Sequence, residues 1–166
     1  MSRPEILIRP MQGDAEAHVC TAAMVSSEPW LTLRFSYEVT FKVVTDPSRE
    51  AYVAIAGTEI TGFIVLNLVG PLRGYIQTIC VLPSWRSQGV GTKLLTFAEK
   101  RIFREHPNVF LFVSSFNHVA QQFYAALGYQ RIGEAPDYVV KGHSEFLLRK
   151  TLGPIADFTP RSSTSS

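Results

Sequence analysis

The residues best suited to chemistry form one loop, Arg86-Ser87-Gln88-Gly89-Val90-Gly91-Thr92, lying between a hydrophobic run and an amphipathic one. In the first turn of a helix the N–H groups lack intrahelical partners and the dipole adds partial positive charge, so a phosphate can sit against them. Gly89 and Gly91 carry no side chain to block that approach. Arg86 offers a charge-assisted contact to a phosphate oxygen. On the loop alone, two glycines shaping a tight strand-to-helix connection explain the pattern equally well. Two other phosphate-binding patterns fail. Gly91 is followed by Thr92-Lys93, not by the Lys-Ser/Thr of a P-loop. A dinucleotide fingerprint needs glycine where Leu94 stands and an acidic residue closing the next strand, and Val109 to Val113 supplies none. A nicotinamide-dependent dehydrogenase is therefore disfavoured.

The elements that must hold this loop follow from hydrophobic periodicity. Glu5 to Arg9 suits a first strand ending at Pro10, and Asp14 to Val25 a helix with Asp14 as its N-cap, ended by Ser26-Ser-Glu-Pro29. Ser36 to Thr45 suits another helix despite the β-branched Val39, Thr40, Val43 and Val44. Ala51 to Ala56, Thr61 to Val69 and Tyr75 to Leu82 are apolar runs split by glycine-containing turns, an antiparallel meander. Thr92 to His106 places Leu94, Leu95, Ala98 and Ile102 on one helical face. Val109 to Val113 is nearly all apolar, as expected of a strand covered on both faces. Asn117 to Leu127 is a helix capped by Asn117 and stopped by Gly128, with Ala120, Phe123, Tyr124 and Leu127 in an apolar stripe that by itself reads as packing. Tyr129 to Ile132 and Glu145 to Arg149 close the series. Strands first, then helices alternating with strands, give a mixed α/β sheet with helices on its faces.

Composition sets the outer bounds. The 166 residues are 46% hydrophobic and 18% charged, enough to bury one core and too apolar for a disordered chain. We expect one domain over 1–152 and a flexible tail over 153–166, which ends in Arg-Ser-Ser-Thr-Ser-Ser. A net charge of +2 without any long run of like charge argues against a nucleic-acid partner. Apolar runs are strand-sized, which argues against a membrane span and for a cytoplasmic protein. Cys20 and Cys80 are expected as reduced core residues, and no cluster suggests a metal.

With both segments in view, the chain resembles the GCN5-related N-acetyltransferase (GNAT) family. The loop fits its coenzyme A pattern Arg/Gln-x-x-Gly-x-Gly/Ala, and the likeness runs from Ile79-Cys80-Val81-Leu82-Pro83 before it to Ala98-Glu99 after it. Asn117-His-Val-Ala120-Gln-Gln-Phe123-Tyr124-Ala-Ala-Leu127-Gly128-Tyr129 fits the family's Asn-x-x-Ala-x-x-Phe/Leu-Tyr-x-x-x-Gly-Phe/Tyr helix. The resemblance is strong from about Tyr75 to Ile132 and rests on element order before that. It implies a mostly antiparallel, splayed sheet of about seven strands with acetyl-CoA as cosubstrate in its cleft. By the same resemblance, backbone groups of Ile79, Cys80 and Val81 meet the pantetheine arm and amides from Arg86 through Thr92, with Ser87, Gln88 and Val90 between, meet the pyrophosphate. Asn117 and Phe123 line the far side, and Tyr124 reaches the thioester sulfur as general acid.

Acetyl transfer to an amine needs a neutral nucleophile, and a lysine-type amine of pKa about 10.4 is only about one part in 10³ neutral at pH 7. Glu28, Tyr75, His143 and Glu145 are candidate bases, with none preferred. The resemblance implies an acceptor pocket from the N-terminal helices and the final hairpin. Here these supply Trp30, Tyr37 and Tyr138 as an aromatic wall and Glu28 or Asp137 to attract a cationic amine. Trp30 packing beneath the sheet is the competing reading. The chain is expected to act as a monomer or homodimer. A non-catalytic acetyl-CoA-binding module is the alternative to an enzyme.

Overall fold

A computed structural model describes residues 4–161. Seven strands, β1 (Ile6–Pro10), β2 (Glu50–Ala56), β3 (Glu59–Asn67), β4 (Tyr75–Val81), β5 (Asn108–Ser114), β6 (Gln130–Ala135) and β7 (Glu145–Thr151), form one sheet in the order β1-β2-β3-β4-β5-β7-β6. All neighbours are antiparallel except β4 and β5. Four helices flank it: α1 (Gly13–Val25), α2 (Tyr37–Val44), α3 (Val90–Ile102) and α4 (His118–Ala126).

The expected mixed, splayed sheet is present, and its splay has a local cause. Strands β4 and β5 share a single registered pair, Tyr75 with Phe110, and the Phe110 N–H donates to the Gly74 carbonyl at 3.0 Å. Beyond that pair the two strands separate. Gly74 is at φ +80, and a Cβ there would lie 2.3 Å from the Asn108 carbonyl oxygen, so only glycine lets the strands meet at this pivot.

Two cores form on opposite faces. Under α3 and α4 lie Ile64, Leu66, Ile76, Val109, Leu111 and Val113, with Leu94, Leu95, Ala98 and Tyr124 packed on them. Under α1 and α2 lie Val53, Phe63, Val65 and Cys80, met by Ala17, Cys20 and Met24. Strand β4 serves both because Thr78 pairs with Val65 while Ile76 pairs with Leu66, leaving Gln77 as an extra residue. That bulge turns Cys80 toward α1 and leaves Ile79 and Val81 against the opposite core.

Local chemistry shifts several expected boundaries. Asp14 is not the N-cap of α1: the helix starts at Gly13 with Gln12 at the cap position, and Asp14 falls inside the first turn. Glu16 fulfils the capping task, accepting from the Gln12 N–H at 2.7 Å while it pairs with Arg9. Helix α2 forms despite its β-branched residues, with the Ser36 hydroxyl accepting from the Val39 N–H. Helix α3 begins at Val90, because Gly89 at φ +86 already turns the chain into it, and ends at Ile102. Among the described residues no helix covers the second face of strand β5. Its Val109, Leu111 and Val113 face the α3–α4 core, while α1 and α2 pack on β2, β3 and β4, leaving Phe110 and Phe112 half-buried on a face without a helix.

Of the segment expected as a tail, residues 153–161 include a short 3-10 turn at Ile155–Asp157, and the Arg161 N–H donates to the Arg104 carbonyl at 2.8 Å. Residues 162–166 lie outside the described residues. No described helix is long and apolar enough to cross a membrane.

Candidate active site

The loop after β4 is held from three sides. A 3-10 turn at Pro83–Trp85 directs the chain away, and the Trp85 indole N–H donates to Glu59 at 2.8 Å. The Gln88 side-chain amide donates to the Ser84 carbonyl at 2.9 Å. The Arg86 Nε–H donates to the Val81 carbonyl at 3.3 Å, which ties the guanidinium to the end of β4. Ser87 takes φ +60, unusual for a residue with a side chain, and Gly89 follows at φ +86. Among the described residues the N–H groups of Ser87 through Thr92 have no acceptor. Successive unpartnered amides ending at a helix start make an anion cradle.

The two loop glycines have different reasons. A Cβ on Gly89 would meet nothing within 4 Å, so that residue is needed for its backbone angle. On Gly91 it would lie 3.4 Å from Phe123 and 3.6 Å from Val81, ordinary contacts that show how near α4 and the end of β4 stand to the loop. Phe123 thus stands against the loop from α4. The thiol of Cys80 is buried and pushed up to about 12 by desolvation, so this position has only backbone groups to offer the wedge. Asn117 caps α4, its Oδ1 accepting from the Ala120 N–H at 3.2 Å.

Tyr124 is buried, edge-on to Phe123 at 5.3 Å and to Tyr129 at 5.8 Å. Its hydroxyl has no hydrogen-bond partner among the described residues, and burial raises its pKa above the usual phenol value. The group therefore keeps its proton throughout the neutral range.

On the opposite face, where β5 lacks a covering helix, a second set of residues gathers. Tyr75 meets Phe112 edge-on at 6.1 Å, and Phe112 stacks on Tyr138 at 5.3 Å. Ser114 and Glu145, opposite one another in the β5–β7 ladder, are joined by the Ser114 hydroxyl donating to Glu145 Oε1 at 2.7 Å. Burial raises the Tyr75 phenol to about 12, with Tyr138 and Glu145 adding to the shift.

The expected acceptor residues are only partly brought together. Tyr138 joins this wall. Trp30 is partly buried against the α1–α2 core, away from this wall. Tyr37 is spoken for by His18, whose Nδ1 lies 2.5 Å from its hydroxyl. The carboxylate of Glu28 accepts from the Thr32 N–H and hydroxyl, and Asp137 accepts from the Gly142 N–H at 2.6 Å, so both stitch their own loops. Phe112 and Ser114 were not foreseen; the alternation of β5 carries that signal once one of its faces is known to be open. Among the described residues no group of three or more His, Cys, Asp or Glu could hold a metal ion.

The acetyltransferase (GNAT) family model matches residues 16–129. N-alpha-acetyltransferase RimI of Mycobacterium tuberculosis (strain ATCC 25618 / H37Rv) is 27% identical over 133 residues, 78% of this chain and 80% of that protein. The crystal structure of the ribosomal-protein-S18-alanine N-acetyltransferase from Escherichia coli superposes with a TM-score of 0.77 at 14% identity, over 93% of this chain and 99% of that one. Arabidopsis thaliana NAA60 in complex with acetyl-CoA gives 0.71 at 16% identity, over 89% and 99%.

Proposed function

This chain belongs to the acetyltransferase (GNAT) family and takes acetyl-CoA as its cosubstrate, and from that premise we propose that it acetylates a primary amine by direct attack, with Tyr124 as general acid. The run of unpartnered amides from Ser87 to Thr92, at the open end of the β4–β5 wedge, is the observation that carries this reading. A pyrophosphate satisfies those amides through charge-assisted bonds. The amine approaches from the face bearing Tyr75, Phe112 and Tyr138, opposite the α3–α4 core. Acetyl-CoA supplies the activated carbonyl, and the chain's own groups orient the amine and manage its protons.

Tyr124 suits proton donation because its buried phenol stays protonated well past neutrality. Tyr124→Phe is expected to lower kcat about 10²-fold, the lower range for a lost general acid, with acetyl-CoA affinity within twofold of wild type. Full turnover by that variant would remove Tyr124 from the chemistry.

The α-amine of a polypeptide is the acceptor to test first, since a relative of this chain is named an N-alpha-acetyltransferase. Such an amine, with pKa about 7.7–8.0, is about a tenth neutral at pH 7 and far easier to use than a lysine side chain. Thiol release with peptides bearing free and blocked N-termini, alongside small amines, tests the assignment. Release only with free N-termini supports it, and release only with small amines overturns the peptide acceptor. In the same assay Tyr138→Ala is expected to raise the acceptor KM about fivefold, the worth of one aromatic contact, without changing the KM for acetyl-CoA. An unchanged acceptor KM would move the acceptor off this wall.

A further inference from the structure

We propose that Glu145 accepts the proton of the incoming ammonium, with Ser114 as the residue that positions its carboxylate. This rests on the amine-acetylation reading above. Sheet register places the group: Glu145 faces Ser114 across the β5–β7 ladder, and side-chain alternation puts both on the face of Phe112. Tyr75 is paired with Phe110 and belongs to that face as well. The carboxyl is therefore on the helix-free face of β5, at the end of that strand four residues past its pair with β4, where the two strands stand apart.

Its hydrogen bonding is half complete. Glu145 is only 5% exposed, and Oε1 accepts from the Ser114 hydroxyl. The second oxygen, Oε2, has no partner among the described residues and is not sealed from solvent, so it is the available acceptor. Burial raises the carboxyl's pKa, while the Ser114 bond and the nearby His143 pull it back. The other ionisable groups facing this place are Tyr75 on β4 and Tyr138 on the β6–β7 connection, and Arg49 before β2 acts on Tyr75. The other candidate bases have different engagements. Glu28 serves Thr32, the Tyr75 phenol is held protonated, and the His143 ring is edge-on to Phe116 at 4.7 Å.

The protons balance. An acceptor R–NH3+ gives one proton to the Glu145 carboxylate. The freed lone pair forms the C–N bond as the C–S bond breaks, and the thiolate takes a proton from Tyr124. The second nitrogen proton returns to the Tyr124 phenolate, and Glu145 releases its proton to solvent, so each turnover liberates one proton.

The test is a pH profile of acetyl transfer for wild type, E145Q and S114A, with acetyl-CoA binding measured by calorimetry. The glutamine amide introduced by E145Q keeps an oxygen for Ser114, so the fold and acetyl-CoA affinity should survive. The E145Q rate is expected to fall about 10²-fold at pH 6–7. It should then climb with pH until the gap closes above the amine's own pKa, because an amine already neutral needs no base. S114A should move the acidic limb to higher pH, since it removes a bond that favours the carboxylate. An E145Q rate equal to wild type overturns the proposal, as does one depressed by the same factor at every pH, the mark of a structural role. Wild type that acetylates no amine at all defeats the amine reading itself, a result distinct from either.

Discussion

Gly91→Trp is expected to weaken acetyl-CoA binding about 10³-fold or more while the fold persists. A Cβ at this position would make ordinary contacts with Phe123 and Val81, so the backbone tolerates a side chain. An indole is different, since it must extend into the space between the end of β4 and α4. There it displaces whatever lies against the amides of Ser87 through Thr92. Losing two charge-assisted hydrogen bonds at about 1.5–3 kcal/mol each corresponds to roughly 10²–10⁴ in affinity. Gly91 is a cleaner probe than Gly89, where φ +86 strains any replacement and confuses folding with binding. Titration calorimetry on a variant with a wild-type circular dichroism spectrum settles the matter. A change of less than tenfold would mean that the pyrophosphate binds elsewhere.

The second large effect is on stability. Gly74→Ala should cost about 2–5 kcal/mol, combining about 1–2 for a left-handed alanine with about 1–3 for overpacking. Its Cβ would stand 2.3 Å from the Asn108 carbonyl oxygen and 2.7 Å from Ile102 Cγ2. The first of these is backbone, so no rotamer change relieves it. At about 2–4 °C per kcal/mol for a chain of this size, the melting temperature should fall by about 10 °C. Thermal denaturation checks this, and Gly70→Ala is the control: it too has positive φ, but its Cβ would meet nothing. Equal losses in the two variants would show that backbone angle alone matters and that the pivot is not tightly packed.

Local rules made much of this fold legible. The glycine loop, the Asn117 cap and the apolar faces of α3 and α4 each depend on residues near in sequence, and they formed where expected. The splay was implied by family likeness; its cause, one β4–β5 pair closed around Gly74, depends on Gly74 meeting Asn108, which no short window reveals. The bulge at Gln77 was equally hidden, because it exists only relative to the register of β3. Acceptor-side expectations fared unevenly for a related reason. Trp30, Tyr37, Glu28 and Asp137 have suitable chemistry, but Tyr37, Glu28 and Asp137 each make a hydrogen bond within the N-terminal helices or their own loop, and Trp30 is partly buried against the α1–α2 core. Phe112 reads as part of an apolar strand that stops at Val113, short of Ser114, and only the pairing of β5 with β7 brings the two beside Tyr138 and Glu145.

The single pair joining β4 to β5 has a thermal consequence. Within each half of the sheet, cohesion comes from ladders of backbone hydrogen bonds. Between the halves, beyond the bond at Gly74 and the Tyr75–Phe112 contact, it comes from the apolar layer under α3 and α4, which reaches from Ile64 and Leu66 on one side to Val109 and Leu111 on the other. Apolar cohesion is entropic near room temperature and fades on cooling. The joint is thus expected to loosen on cooling more than the hydrogen-bonded ladders on either side of it.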